Sequence, residues 1–150
     1  MQSASNMKAL NETATRIFSD LLGKLNNQGY VKLTSEVFMP LSMELLQTGI
    51  TTSYGKANLY SLMHTYVQEG DLMRDPEVCF LVVDNRIDSK DYNNLRVFPI
   101  SYRQDNLGMD DESVRIEDDE VTNLIPVWQH EHCVFANQWM KNIKEQEFLA

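Results

Sequence analysis

Leu59-Tyr60-Ser61-Leu62-Met63-His64-Thr65-Tyr66-Val67 is the stretch that decides the fold. Successive side chains of a strand point to opposite faces. Tyr60, Leu62, His64 and Tyr66 therefore share one face, and Ser61, Met63, Thr65 and Val67 the other. Glu69-Gly70-Asp71 follows with turn chemistry. Asp75-Pro76-Glu77 reads as a second break, and Val78-Cys79-Phe80-Leu81-Val82-Val83 as a buried strand beyond it. Upstream, Tyr30-Val31-Lys32-Leu33 is a short strand candidate. Leu41, Met43 and Leu45 alternate with Ser42 and Glu44 after Pro40, which restricts Met39 to extended geometry. Downstream, Leu95 to Tyr102 reads as another strand, its Pro99 marking an edge or a bulge because proline donates no ladder bond.

Helical spacing brackets these strands. Leu10, Ala14, Ile17, Phe18, Leu21, Leu22 and Leu25 form one apolar stripe, with Ser5 or Asn6 as candidate N-cap and Gly29 as the left-handed residue beyond the end. Near the C-terminus, Pro126 suits a first helical turn, and Trp128, His132, Phe135, Trp139 and Ile143 recur as an inner face. The order helix, four to five strands, helix predicts an α+β fold. Its mostly antiparallel sheet is flanked by an N-terminal and a C-terminal helix, expected on one face, in a single domain over residues 1–150.

The chain has 150 residues, 43% of them hydrophobic, with 13 Lys+Arg against 22 Asp+Glu and a net charge of −9. That balance argues against a protein that holds nucleic acid directly by bulk charge, and against one that docks on anionic membranes. The longest purely apolar run is the six residues Val78–Val83, far short of the roughly 20 a spanning helix needs. Met1-Gln2-Ser3-Ala4-Ser5-Asn6 lacks a basic patch followed by an apolar core, so a cytoplasmic location is expected. Cys79 and Cys133 stand apart in no CxxC spacing and read as two buried thiols.

The acidic stretch from Asp110 to Glu120 is the strongest compositional feature. Asp110, Asp111, Glu112, Glu117, Asp118, Asp119 and Glu120 face a single base, Arg115, so these eleven residues carry −6 of the −9. Carboxylates about 7 Å apart in water repel by about 0.6 kcal/mol per pair. The stretch therefore reads as a solvated loop, or as an anionic surface that occupies Lys/Arg sites made for phosphates. A second set, Asp71, Asp75 and Glu77, would suit a metal-dependent enzyme or a metal-binding protein if the three carboxylates converged. His130, His132 and Cys133, with His64, suggest zinc ligands. On a helix, however, His130 and His132 point to nearly opposite sides, so His132 reads as a core histidine. Tyr54, Tyr60, Tyr66, Tyr92 and Tyr102 lack the basic interleaving of a base-stacking platform and read as sheet packing. There is no G-x-S-x-G, Walker A, G-x-G-x-x-G or H-E-x-x-H motif, and no cofactor is implied.

Three blocks carry a resemblance: Phe38-Met39-Pro40-Leu41, Gly70-Asp71-Leu72-Met73-Arg74-Asp75-Pro76-Glu77, and Trp139-Met140-Lys141-Asn142-Ile143-Lys144. Together they resemble an uncharacterised family of small proteins encoded largely on phages, plasmids and conjugative elements of gut-type bacteria. The matching blocks span residues 30–148, and the block from Gly70 to Glu77 is the most specific. The family has Asn-Gly-Asp where this chain has Glu69-Gly70-Asp71, a change that leaves the turn intact. The resemblance carries no established activity. It implies a mobile-element accessory protein, for which interference with host defences is a common role. The expectation is a non-enzymatic inhibitor or modulator of a basic host protein of the nucleic-acid-handling defence class, of anti-CRISPR or anti-restriction type, with Asp110–Glu120 as its contact. A self-associating structural protein, a homodimer anchored by Trp128 and Trp139, is the third expectation.

Overall fold

The computed structural model describes residues 6–150. At its centre β3 (Gly55–Gln68) and β4 (Asp71–Asp84) form a long antiparallel hairpin. Glu69 and Gly70 make its two-residue turn with φ of 49° and 86°. Two positive φ values in succession match the right-handed strand twist of a tight hairpin. β2 (Leu41–Thr52) pairs with β3 on the far side, and β1 (Tyr30–Leu33) pairs with β2. On the near side, β5 (Leu95–Pro99) and β6 (Ser101–Gln104) run successively along β4. Their register along β4 shifts by one residue across Pro99-Ile100-Ser101, the bulge that Pro99 signals. β7 (Met109–Glu112) pairs with β6, and β8 (Val114–Glu117) forms a hairpin with β9 (Glu120–Leu124). β9 touches β2 through one parallel pair, Thr51 with Glu120.

Among the described residues the sheet has nine strands, ordered β7-β6-β4-β3-β2-β9-β8, with β1 on β2 and β5 on β4. The α+β class and the two flanking helices follow the sequence reading; four to five strands is an undercount. Two features account for the difference, while β2 only runs longer than read, through Gly49 to Thr52 by way of two register shifts. The acidic stretch forms β7, β8 and the start of β9 instead of a loop. Leu95 to Tyr102 divides at the bulge. Asp75-Pro76-Glu77 does not break the chain either. It is a bulge inside β4, where Met63 opposes Glu77 and Thr65 opposes Arg74, so Asp75 and Pro76 together face His64. Proline sits there without loss because a bulge leaves a residue unpaired.

α1 (Glu12–Leu25) and α2 (Pro126–Glu145) cover one sheet face. Asn11, and not Ser5 or Asn6, caps α1: its side chain accepts from the Ala14 N–H at 2.9 Å. Ser5 lies outside the described residues. Leu10 precedes the helix, buried, with its N–H bonded to the Val97 carbonyl at 2.9 Å. Asn26, with φ of 51°, takes the left-handed end in place of Gly29. α2 buries Gln129, His132, Cys133, Ala136, Trp139, Met140 and Ile143. Trp128, expected on that inner face, is 41% exposed.

The alternation read from β3 separates two cores. Tyr60 and Leu62 pack with Phe80, Val82 and Val97 against Phe18, Leu21, Trp139 and Ile143 of the helices. On the opposite face Leu59, Leu81, Phe98 and Ile100 pack against Val114, Ile116, Val121 and Leu124 of the β8–β9 hairpin. That hairpin covers only one end of the helix-free face. No helix among the described residues is long and apolar enough to cross a membrane.

Candidate functional site

Register places one row of residues on the uncovered part of the helix-free face. Lys32 opposes Ser42, Ser42 opposes Met63, Met63 opposes Glu77, Glu77 opposes Arg103, and Arg103 opposes Asp110. The β4 bulge makes this row ionic. Residues three apart in a regular strand point to opposite faces. The extra residue turns Arg74 and Glu77 to the same side, with Arg74 Nη1 3.7 Å from Glu77 Oε1. Arg103 Nη1 lies 3.9 Å from the same oxygen, and Ser61 Oγ donates to the other one. Arg103 also reaches Asp110 at 2.7 Å. Asp105, in the turn after β6, accepts from both the main-chain N–H and Nε of Arg74 at 2.8 and 2.9 Å. Those bonds hold the Asp105 carboxyl below its ordinary range and raise Arg74.

The seven carboxylates of the acidic stretch are brought together only in part. Asp110, Asp111 and Glu112 lie on β7, the last strand at one side of the sheet path, and Glu117 lies on β8, the last at the other. Asp118 and Asp119 form the β8–β9 turn with φ of 50° and 60°, and Glu120 begins β9. The turn is seated on β2: Gln47 Nε2 donates to Asp119 Oδ1 at 2.6 Å, and the Thr51 N–H to the Asp119 carbonyl at 2.8 Å. Thr51 opposes Lys56, whereas Asp110 sits in the Met63 row. Seven residues of β3 separate Lys56 from Met63, about 23 Å at roughly 3.3 Å per residue. The run that is contiguous in sequence thus makes two acidic groups, one at each end of the sheet. All seven side chains except Asp111 are exposed. Arg103 and Arg115 are the bases paired with them, Arg115 lying 3.7 Å from Glu117. Charge on β7 also keeps its free edge from pairing with another chain.

Asp71, Asp75 and Glu77 do not converge. Asp71 is exposed beside the hairpin turn, and Glu77 faces its two arginines on the helix-free side. Asp75 lies across the sheet, where its charge acts on His64 and Tyr102. Nor do His64, His132 and Cys133 gather. Among the described residues no three His, Cys, Asp or Glu side chains are grouped to hold a metal ion. His64 packs between Trp139 and Phe148, its ring centroid 5.7 and 5.6 Å from theirs, and burial lowers its pKa. Burial likewise lowers His132. Cys79 and Cys133 are free thiols, Cys133 buried and Cys79 partly so. Burial pushes Cys79 up to about 11, with Glu77 and Glu112 adding to the effect, so it is no nucleophile at neutral pH. The tyrosines are dispersed: Tyr54 lies on Phe98, Tyr60 near Phe18, Tyr92 under Arg16 and Tyr102 against Phe135.

Sequence reasoning missed the Ser113–His132 pair. Ser113 is wholly buried, with Oγ 2.8 Å from His132 Nδ1 and 3.0 Å from the Ile100 carbonyl. A carbonyl only accepts, so the single hydroxyl proton goes to Ile100 and His132 Nδ1–H donates to Ser113. That is the reverse of a base activating a nucleophile; the pair joins α2 to the β7–β8 junction. Ser113→Ala is expected to destabilise the fold by about 1–3 kcal/mol by leaving the His132 donor buried without a partner. Urea denaturation measures the loss, and an unchanged midpoint would mean that the bond contributes nothing. A polar groove of about 700 Å³ lies between the C-terminal end of α1 and the ends of β3 and β4. Its Arg86 is already engaged by Asp84 and by Ser19 Oγ.

Fold and surface together define an α+β protein with two helices on one sheet face, a row of paired acidic and basic side chains on the uncovered part of the other, and exposed carboxylates at both ends of the sheet. Residues 12–149 match the family described as Domain of unknown function (DUF6908), and the chain belongs to that uncharacterised family. Neither a curated protein nor a solved structure matches it.

Proposed function

We propose that the chain is an acidic accessory protein of a phage or other mobile element that acts in the cytoplasm by binding a basic host protein. It inhibits or modulates that protein without chemistry of its own. The partner class is a nucleic-acid-handling defence enzyme, such as a CRISPR effector or a restriction enzyme, whose Lys and Arg side chains otherwise hold phosphates. The observation that carries this reading is the display of Asp110, Asp111, Glu112, Glu117, Asp118, Asp119 and Glu120 on end strands and a seated turn, facing few bases of their own. Carboxylates fixed on strands bind with less ordering cost than the same charges on a loose loop. The sequence blocks that resemble mobile-element proteins support the biological setting.

The test replaces Asp118 and Asp119 with Asn and Glu120 with Gln. Asn tolerates the left-handed turn, so the change removes charge and keeps the backbone. Tagged wild-type protein is used to capture partners from host lysate at low and high salt, with identification by mass spectrometry. A basic nuclease or effector released at high salt is expected, and the triple variant should bind it on the order of tenfold more weakly. Unchanged, salt-insensitive affinity would overturn the electrostatic reading.

A further inference from the structure

We infer that the tip of the β3–β4 hairpin is a second contact surface, one that takes a basic amphipathic segment of a partner protein; this rests on the basic-partner reading above. Val67 and Leu72 oppose each other directly across the two strands and are 69% and 64% exposed. The Glu69-Gly70 turn, with both φ values positive, holds the pair in a tight hairpin instead of a loose loop. The pair lies on the helix-free face, in the same alternation as Thr65, Arg74 and Glu77. Asp105 pins the turn after β6 to Arg74, two residues from Leu72, and that turn carries Leu107, 62% exposed. Met109, at the start of β7, opposes Gln104 one step from the Arg103–Asp110 pair and so belongs to the other face. Three apolar side chains, Val67, Leu72 and Leu107, thus stand uncovered at one end of the sheet.

Charge selects the occupant. Glu69, in the turn, and Asp71, next to Leu72 but alternating to the other face, lie between the two apolar residues in the chain, and among the described residues neither makes an ion pair. Asp105 and Asp110 stand nearby, each held by an arginine. An apolar patch flanked by carboxylates suits a segment with leucine-like side chains on one face and Lys or Arg beside them. A second copy of this chain fits poorly, since it would bring Glu69 and Asp71 against like charges in a molecule of net charge −9.

The test uses two synthetic peptides, an amphipathic Leu/Lys helix and an oligolysine of equal charge, titrated at low salt by calorimetry. Full-length wild type, the double variant Val67→Ser with Leu72→Ser, and the Asp118/Asp119/Glu120 triple variant are compared. Tighter binding of the Leu/Lys peptide by wild type is expected, with a loss of roughly tenfold or more in the double variant. Oligolysine binding should be unaffected by that variant and weakened by the triple variant. Equal Leu/Lys affinity in wild type and double variant would overturn the hairpin-tip site while leaving the acidic reading standing. Failure of both peptides to bind wild type would overturn the basic-partner reading itself, and this inference with it. A doubled mass in light scattering that the double variant abolishes would assign the tip to a second copy and overturn the inference. Both substituted side chains are exposed, so the double variant should unfold at the wild-type urea midpoint. A shifted midpoint moves the comparison to Glu69→Gln with Asp71→Asn, for which a selective loss of Leu/Lys peptide binding is expected and unchanged binding overturns the site.

Discussion

Phe18→Ala is expected to remove about 3–5 kcal/mol of folding stability, the range for emptying a fully buried aromatic site. Phe18 is wholly buried at the middle of α1. Its ring centroid lies 5.0 Å from that of Phe80 on β4 and 6.5 Å from that of Tyr60 on β3. It is therefore the side chain through which α1 bears on both central strands. Truncation forfeits transfer energy and leaves a cavity that two sheet-bound rings cannot collapse into. Domains of this size have in total about 5–15 kcal/mol, so the variant should populate unfolded chain at modest denaturant. Urea titration read by far-UV circular dichroism gives the value. Val37→Ala, at a residue 80% exposed, should stay within about 0.5 kcal/mol of wild type. A loss under about 1 kcal/mol at Phe18 would show that α1 is not seated on the sheet through this ring.

The elements that bury one clean face were legible from the residues, because burial imposes its period on the sequence. Tyr60 and Leu62 read as one face and Ser61 and Met63 as the other; the helix-side core takes the first, and Leu59, in step with the second, joins the opposite core. The same holds for Ala14, Ile17, Phe18, Leu21 and Leu25 of α1. The acidic strands were illegible because their side chains face solvent on edges. Met109-Asp110-Asp111-Glu112 carries almost no apolar alternation; it is a strand because its backbone pairs with β6. The bulge at Asp75-Pro76 read as a break for a related reason: proline signals lost donation, and a bulge and a chain break lose it alike. Its consequence, Arg74 and Glu77 on one face, depends on the neighbouring strand and has no local signature. The Ser113–His132 bond likewise joins residues 19 apart. A lone serine between two acidic strands gave no hint of it beyond being polar where the chain turns inward.

The two tryptophans, alike as dimer anchors in the sequence, should behave oppositely. Trp139 is 4% exposed, with ring centroids of His64 and Phe135 each 5.7 Å away. Trp139→Ala is expected to cost about 3–5 kcal/mol. Trp128 is 41% exposed at the start of α2, and Trp128→Ala should stay within about 0.5 kcal/mol. The indole N–H of Trp139 has no acceptor among the described residues. A buried donor without a partner is itself a cost of about 1–3 kcal/mol. Trp139→Phe deletes that donor together with part of the ring, so the cavity penalty and the relieved polar penalty oppose each other. Its net loss should be under about 2 kcal/mol, far smaller than that of the alanine variant. The three variants, unfolded in urea at one protein concentration and again at tenfold higher concentration, separate core from interface. If Trp139 anchored a dimer, its alanine variant would lose stability in a concentration-dependent way and the Phe variant would not recover. A concentration-independent midpoint with recovery in Phe places the indole in the monomer's own core, between α2 and His64 of β3.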